Sequence, residues 1–267
     1  MGKLFAVTII VIAIISAIPI VRHTWEAPED ISTNGALIDE QMAETMAEAG
    51  IAFLAAQLLL GLFVWQFSNR PPDAKLKNFP GGAKGLVIGA FLLVGLEVLA
   101  LGVFGVKAWA NAYLIPPAPN AMPIQVQAGQ FAFYFRYPGP DGKFGPIHPD
   151  LINESTQNFF GLDTDHDPDS KDDIVTAEMA IPVGKEIHLL MHSKDVGLSF
   201  FVRELRVQQD FVPGLDVSVH FTANKVGKYE IVCTQLCGLG HYNMKAYLEV
   251  MSQQDYDDWL KKEAALQ

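Results

Sequence analysis

The chain has 267 residues, half of them hydrophobic, with 19 Lys and Arg against 30 Asp and Glu and a formal net charge of −11. Its positive mean hydropathy is too high for an ordinary soluble domain, and its acidity excludes nucleic acid, whose phosphates need a basic surface. Only two cysteines occur, Cys233 and Cys237, which excludes a distributed disulfide framework and leaves a local bridge or a pair of metal ligands.

The first element is an uncharged apolar run from Leu4 to Val21. Its length suits either a spanning helix or a long signal segment. Residues 1–21 are read as a retained helix, because no clear small-x-small cleavage site follows. Residues 22–48 carry seven acids against one base and form an acidic external segment. Residues 49–109 read as a helical hairpin whose apolar runs, Ile51 to Phe67 and Gly85 to Val106, are each long enough to cross ~30 Å of hydrocarbon, the first if residues from Met46 join it.

The connector between those runs, Ser68 to Lys84, holds Arg70, Lys75, Lys77 and Lys84 against Asp73 alone. Positive charge stays in the cytoplasm, so everything after Trp109 lies outside. Trp25, Trp65 and Trp109 suit interfacial anchors. Gln57 and Glu97 fall inside the spans, where a polar group is costly unless it faces protein or water. Glu97 is read either as a protonated carboxyl bonded to a neighbouring subunit or as a proton-path residue.

From Ala121 onward, short alternating or β-branched runs are separated by Gly, Pro and Asp, the signature of a β-sandwich or barrel. Residues 118–252 form this domain. Expected strands are Pro123–Ala128, Gln130–Tyr137, Val175–Ile181, Glu186–Met191, Leu198–Val202, Asp216–Phe221 and Tyr229–Cys233, which suits a Greek-key sandwich of about seven or eight strands. The tail 253–267 reads as an amphipathic helix capped by Ser252, with acids early and lysines late as the helix dipole favours. The fold class is therefore a membrane anchor of about three helices plus an all-β sandwich with a C-terminal helix.

The acidic loop Asp163 to Asp173 departs from a calcium loop, with Pro168 at the sixth position and Ile174 at the twelfth. Residues 118–267 hold 12 Lys and Arg against 21 Asp and Glu. Such a surface suits a basic redox partner, since charge complementarity speeds transient encounter.

Cys233, Cys237, His241 and Met244 lie within twelve residues, in Cys-x3-Cys-x3-His-x2-Met spacing. Soft sulfur with imidazole selects copper or zinc, and the thioether favours copper. A disulfide between the cysteines is the alternative, but it gives His241 and Met244 no role.

This motif, on a loop closing a sandwich behind membrane helices, resembles the dinuclear copper site of the cytochrome c oxidase subunit II family. Leu190 to Val202, Arg206 to Gly214 and Gln130 to Tyr137 are similar to further stretches of that family. The resemblance implies a cupredoxin fold and copper as cofactor. It implies Cys233 and Cys237 as bridging ligands, His241 and Met244 as terminal ligands, and the Gln235 backbone carbonyl as another. It implies electron uptake from a basic donor such as cytochrome c and delivery to haem in a haem-copper catalytic subunit I, among other membrane subunits. It also implies a lipid membrane of bacterial inner-membrane type, with the sandwich on the periplasmic side. Three departures stand out. Leu198 takes the place of the family's other ligand histidine, with His188, His192 and His220 as the histidines nearest in the domain. Gln235 replaces a glutamate associated with magnesium. Phe131 and Phe133 stand at tryptophan positions, one of which is the family's usual point of electron uptake. The corresponding subunit of a nitric oxide reductase, a copper-free structural subunit and a copper-delivery protein are the competing readings.

Overall fold

A computed structural model describes residues 1–22, 27–69, 71 and 83–266. The chain divides into two units, 1–26 with 37–109, and 27–36 with 110–267.

The first unit contains α1 (Gly2–Arg22) and most of α2 (Gly35–Phe67) and α3 (Ala83–Tyr113). All three are long and apolar enough to cross a membrane. Helix α2 begins well ahead of its apolar run because Ala, Glu, Gln and Met, all strong helix formers, fill residues 36–48. Ala6, buried on α1, sits where α2 comes close: a Cβ added at Gly61 would meet the Ile10 side chain at 2.5 Å and the Ala6 carbonyl at 3.5 Å. Small residues at such a contact let two apolar helices approach closely. Glu97 is half-buried on α3 and Gln57 half-buried on α2. The connector on which the charge asymmetry turns lies mostly outside the described residues, as does Trp25.

The second unit is a sandwich of two five-stranded sheets. One sheet runs in the order β3 (Ile174–Thr176), β2 (Ala132–Tyr137), β1 (Met122–Gly129), β5 (Glu186–Ser193), β8 (Val217–Thr222). The other runs β4 (Met179–Pro182), β10 (Lys245–Met251), β9 (Gly227–Val232), β6 (Leu198–Val202), β7 (Val207–Phe211). Alternate residues point inward, as the pleat dictates: Ile124, Val126 and Ala128 of β1, Ile187, Leu189 and Met191 of β5, Leu198, Phe200 and Val202 of β6, and Ala246, Leu248 and Val250 of β10 are buried together.

Among the described residues there are ten strands rather than seven or eight. The run Val175–Ile181 is two strands, β3 and β4, which part to opposite sheets. Gln130 and Phe131 form the β1–β2 turn instead of starting β2. Strand β10 lies where no strand was expected, whereas β7 falls within Arg206 to Gly214, the stretch that resembles a strand of the family. Residues 27–36 pack on the sandwich: Ile31 is buried in its core, its N–H donates to the Glu204 carbonyl at 2.9 Å, and its carbonyl accepts from Asn224 N–H at 2.7 Å.

A long loop, residues 138–173, covers the outer face of the first sheet. It contains two turns of 3-10 helix, Pro149–Leu151 and Glu154–Thr156, and one short α-helical turn, α4 (Pro168–Lys171). Its anchor is Arg136, which is fully buried and donates to Asp173, to the Gly145 carbonyl at 2.7 Å and to Gln125 Oε1 at 2.9 Å. Tyr134 stacks on Phe159 at 3.5 Å between ring centroids. Burial lowers the Arg136 pKa and raises that of Asp173 even though each faces its counter-ion. Desolvation therefore outweighs pairing at both ends, and the pair fixes the loop's position more than it adds net stability.

The tail forms α5 (Gln253–Ala264), capped by Ser252 Oγ, which accepts from Asp255 N–H at 3.1 Å. Trp259 packs edge-on against Tyr137 at 5.2 Å and so seats the helix on the sandwich.

Removing one member of the buried pair leaves a bare charge in the interior. Asp173→Ala is expected to destabilise the protein by about 3–5 kcal/mol, whereas the double change Arg136→Met with Asp173→Leu recovers most of that loss. Denaturant unfolding of the three chains measures the difference.

Candidate metal centre

The chain leaves β9 at Val232 and re-enters the same sheet in β10 at Lys245, directly opposite. The intervening residues 233–244 form a hairpin loop tied at its base by a hydrogen bond from Cys233 N–H to the Met244 carbonyl, 3.2 Å. A turn of 3-10 helix at His241–Asn243 brings the imidazole back toward the sulfurs.

Inside the loop, Cys233 Sγ lies 3.8 Å from Cys237 Sγ. Cys237 Sγ lies 3.6 Å from His241 Nδ1 and 3.8 Å from Met244 Sδ. The Gln235 carbonyl points inward, 3.1 Å from Cys233 Sγ. Both cysteines are free, so the disulfide alternative is set aside. The donor atoms of Cys233, Cys237 and His241 all fall within 4.8 Å of one another, and no other such group of three is found among the described residues. Cys233, Cys237 and Met244 are buried while His241 is half-exposed. Burial, and then the adjacent Cys233, pushes the Cys237 thiol up to about 11. A cation entering this site must displace protons from sulfur.

The loop is held from outside by the β1–β2 turn. Gln130 Nε2 donates to the Cys237 carbonyl at 2.5 Å, and Asp195 Oδ2 accepts from Gln130 N–H at 3.0 Å. The Phe131 ring lies against the loop. A Cβ added at Gly240 would meet it at 2.5 Å, and one at Gly238 at 3.2 Å. Gly238 also has φ of 135°, a conformation that side chains disfavour. Two glycines in the loop, at 238 and 240, therefore allow an aromatic ring to sit directly on it. Phe131 is 40% exposed whereas Phe133 is in the core, packed on Phe211 at 6.1 Å. The two phenylalanines paired in the sequence reading are thus separated: only Phe131 joins the loop to solvent.

Leu198 opens β6. This strand runs antiparallel to β9 with Phe201 opposite Val232, so Leu198 lies at the end of the pair from which the ligand loop departs. It is fully buried. None of the three nearby histidines reaches the sulfurs. His188 and His220 face each other across β5 and β8. His220 Nδ1 is 2.9 Å from Glu186, and its Nε2 is 2.8 Å from the Ile115 carbonyl. His192 Nδ1 is 3.1 Å from Asp216. The acidic loop gathers no three carboxylates close enough to hold a cation.

Gln130 and Asp195 escaped the sequence reading. Gln130 is 107 residues from its Cys237 partner, and no local pattern advertises a side chain that far away. Gln130→Ala removes the donor to the Cys237 carbonyl and is expected to weaken metal affinity about tenfold or more, as loss of a partner behind a ligand commonly does. Competition with a chromogenic chelator, with unchanged circular dichroism, checks this.

Residues 164–251 match the family model described as cytochrome c oxidase subunit II, periplasmic domain. The alternative cytochrome c oxidase subunit 2 of Bradyrhizobium diazoefficiens is 30% identical over 249 residues, which cover 90% of this chain and 84% of that protein. Cytochrome c oxidase subunit 2 of Thermostichus vulcanus is 27% identical, over 92% of this chain and 80% of that one. Among solved structures, the periplasmic domain of subunit II of cytochrome oxidase from Bradyrhizobium japonicum aligns with 56% of this chain and 96% of its own, at 24% identity and a TM-score of 0.41. Identity at the 30% level along nine-tenths of the sequence, together with a Cys-Cys-His cluster in a sandwich that follows three apolar helices in the chain, places this chain in the cytochrome c oxidase subunit II family.

Proposed function

We propose that this chain is the electron-uptake subunit of a haem-copper terminal oxidase, carrying copper between Cys233, Cys237, His241, Met244 and the Gln235 carbonyl. The observation that carries the reading is the convergence of those donors in one buried, tied loop. Two thiolates, an imidazole and a thioether suit copper, which when bound supplies a one-electron couple. The rest is the work of the protein. Strands β9 and β10 hold the ends of the loop, Gln130 and Phe131 press on its outside, and burial keeps water from the sulfurs. Ligands held on a rigid frame move little when charge changes.

The direction of electron flow follows from the surfaces. Phe131 offers an exposed ring in contact with the ligand loop, and the acidic outer domain suits a basic donor such as cytochrome c. Leu236, Leu239 and Tyr242 stand out from the loop almost fully exposed. Apolar side chains projecting from a ligand loop suit docking against the catalytic subunit. Oxygen rather than nitric oxide is the acceptor in this reading because the relatives are named as cytochrome c oxidase subunits. The helices anchor the chain in a bacterial-type inner membrane, with the sandwich on the periplasmic side. Glu97 is assigned to a surface facing protein or internal water, because a carboxyl among lipid tails is costly.

Cys237→Ser is expected to cut turnover with reduced cytochrome c by about tenfold or more, equivalent to about 1.4 kcal/mol on the barrier, in a complex with unchanged haem content. Unchanged turnover contradicts the assignment. For the topology, a cysteine placed at Ser68 should be shielded from impermeant thiol reagents in intact cells and should react once the membrane is opened. Labelling in intact cells reverses the orientation.

A further inference from the structure

We infer that the site is built for one copper ion rather than a pair, an inference that rests on the copper reading above. The donors can be counted. Within the cluster stand two thiol sulfurs, one imidazole nitrogen, one thioether sulfur and one backbone carbonyl. That set completes a four-coordinate shell around a single copper, with the carbonyl as a weak fifth contact. Spread over two metals bridged by the cysteines, it leaves one of them with no nitrogen at all.

Among the described residues no second imidazole nitrogen is at hand. Of the described histidines, only His241 joins the sulfurs. His188, His192 and His220 belong to the opposite sheet and have the partners given above. His166 sits 2.9 Å from Asp163 in the outer loop. The end of the β6–β9 pair next to the ligand loop is occupied by Leu198, fully buried in the core that also contains Cys233, Cys237 and Met244. Hydrocarbon cannot ligate, and a fully packed position leaves no room for water to substitute. The nearby carboxylate is already engaged: Asp195 Oδ1 accepts from Val196 N–H at 2.7 Å and Oδ2 from Gln130 N–H at 3.0 Å. As a hard oxygen donor it also suits copper–thiolate chemistry poorly.

The test uses the full-length chain purified in detergent without chelator, loaded with excess copper, desalted and oxidised with ferricyanide. One copper per chain is expected, with an electron paramagnetic resonance spectrum split by a single copper nucleus and nitrogen coupling from one imidazole. His241→Ala should erase that nitrogen coupling; its persistence would reveal a second histidine ligand and overturn the inference. Leu198→His should raise the count to two, with the unpaired electron shared between equivalent nuclei. A folded Leu198→His chain that still binds one copper removes Leu198 as the limiting position and overturns the inference. Two coppers in the unaltered chain overturn it as well but leave the copper reading standing, whereas no copper overturns both.

Discussion

The hydrogen bond from Cys233 N–H to the Met244 carbonyl closes the ligand loop where β9 and β10 cease to pair. Because the two residues are the first and last donors of the motif, the bond sets the span across which every ligand must meet. Without a sheet behind it, a twelve-residue loop with two glycines would sample many shapes and lose its entropy on metal binding. With the sheet in place that cost falls on folding of the sandwich, and the donor atoms of Cys233, Cys237 and His241 come within 4.8 Å of one another.

The remaining architecture secures that loop. Strand β6 flanks β9 and carries Leu198 to the base of the loop, while β1 and β2 from the other sheet deliver Gln130 and Phe131 to its outer side. The Arg136–Asp173 pair acts farther out, fixing the long loop that covers the sheet holding β1 and β2. Each layer limits how far the loop can move. The helical unit adds apolar length and, among the described residues, no donor to the cluster, as expected of an anchor.

Much of this was legible in the sequence because the signals were local. The apolar runs, the Cys-x3-Cys-x3-His-x2-Met spacing and the Ser252 cap each sit within a few residues of the structure they encode. Strand β10 was legible in principle, since Lys245 to Val250 alternates exposed or half-exposed with buried residues, but the ligand motif beside it drew the reading toward chemistry. Strand β7, Val-Gln-Gln-Asp-Phe, has apolar residues only at its ends, so its place is set by pairing with β6 rather than by its own pattern. The division of Val175–Ile181 between sheets is likewise a tertiary choice. Hidden altogether were the Gln130 clamp and the different environments of Phe131 and Phe133, which depend on contacts across a hundred residues of chain.

Copper K-edge X-ray absorption on the loaded full-length chain, oxidised and reduced, addresses the central claim most directly, because it reads ligand identity in both oxidation states. The account predicts a shell of sulfur with a single imidazole that persists in both states, without scattering from a neighbouring copper. A shell of oxygen and nitrogen lacking sulfur would place the metal away from Cys233 and Cys237 and contradict the account.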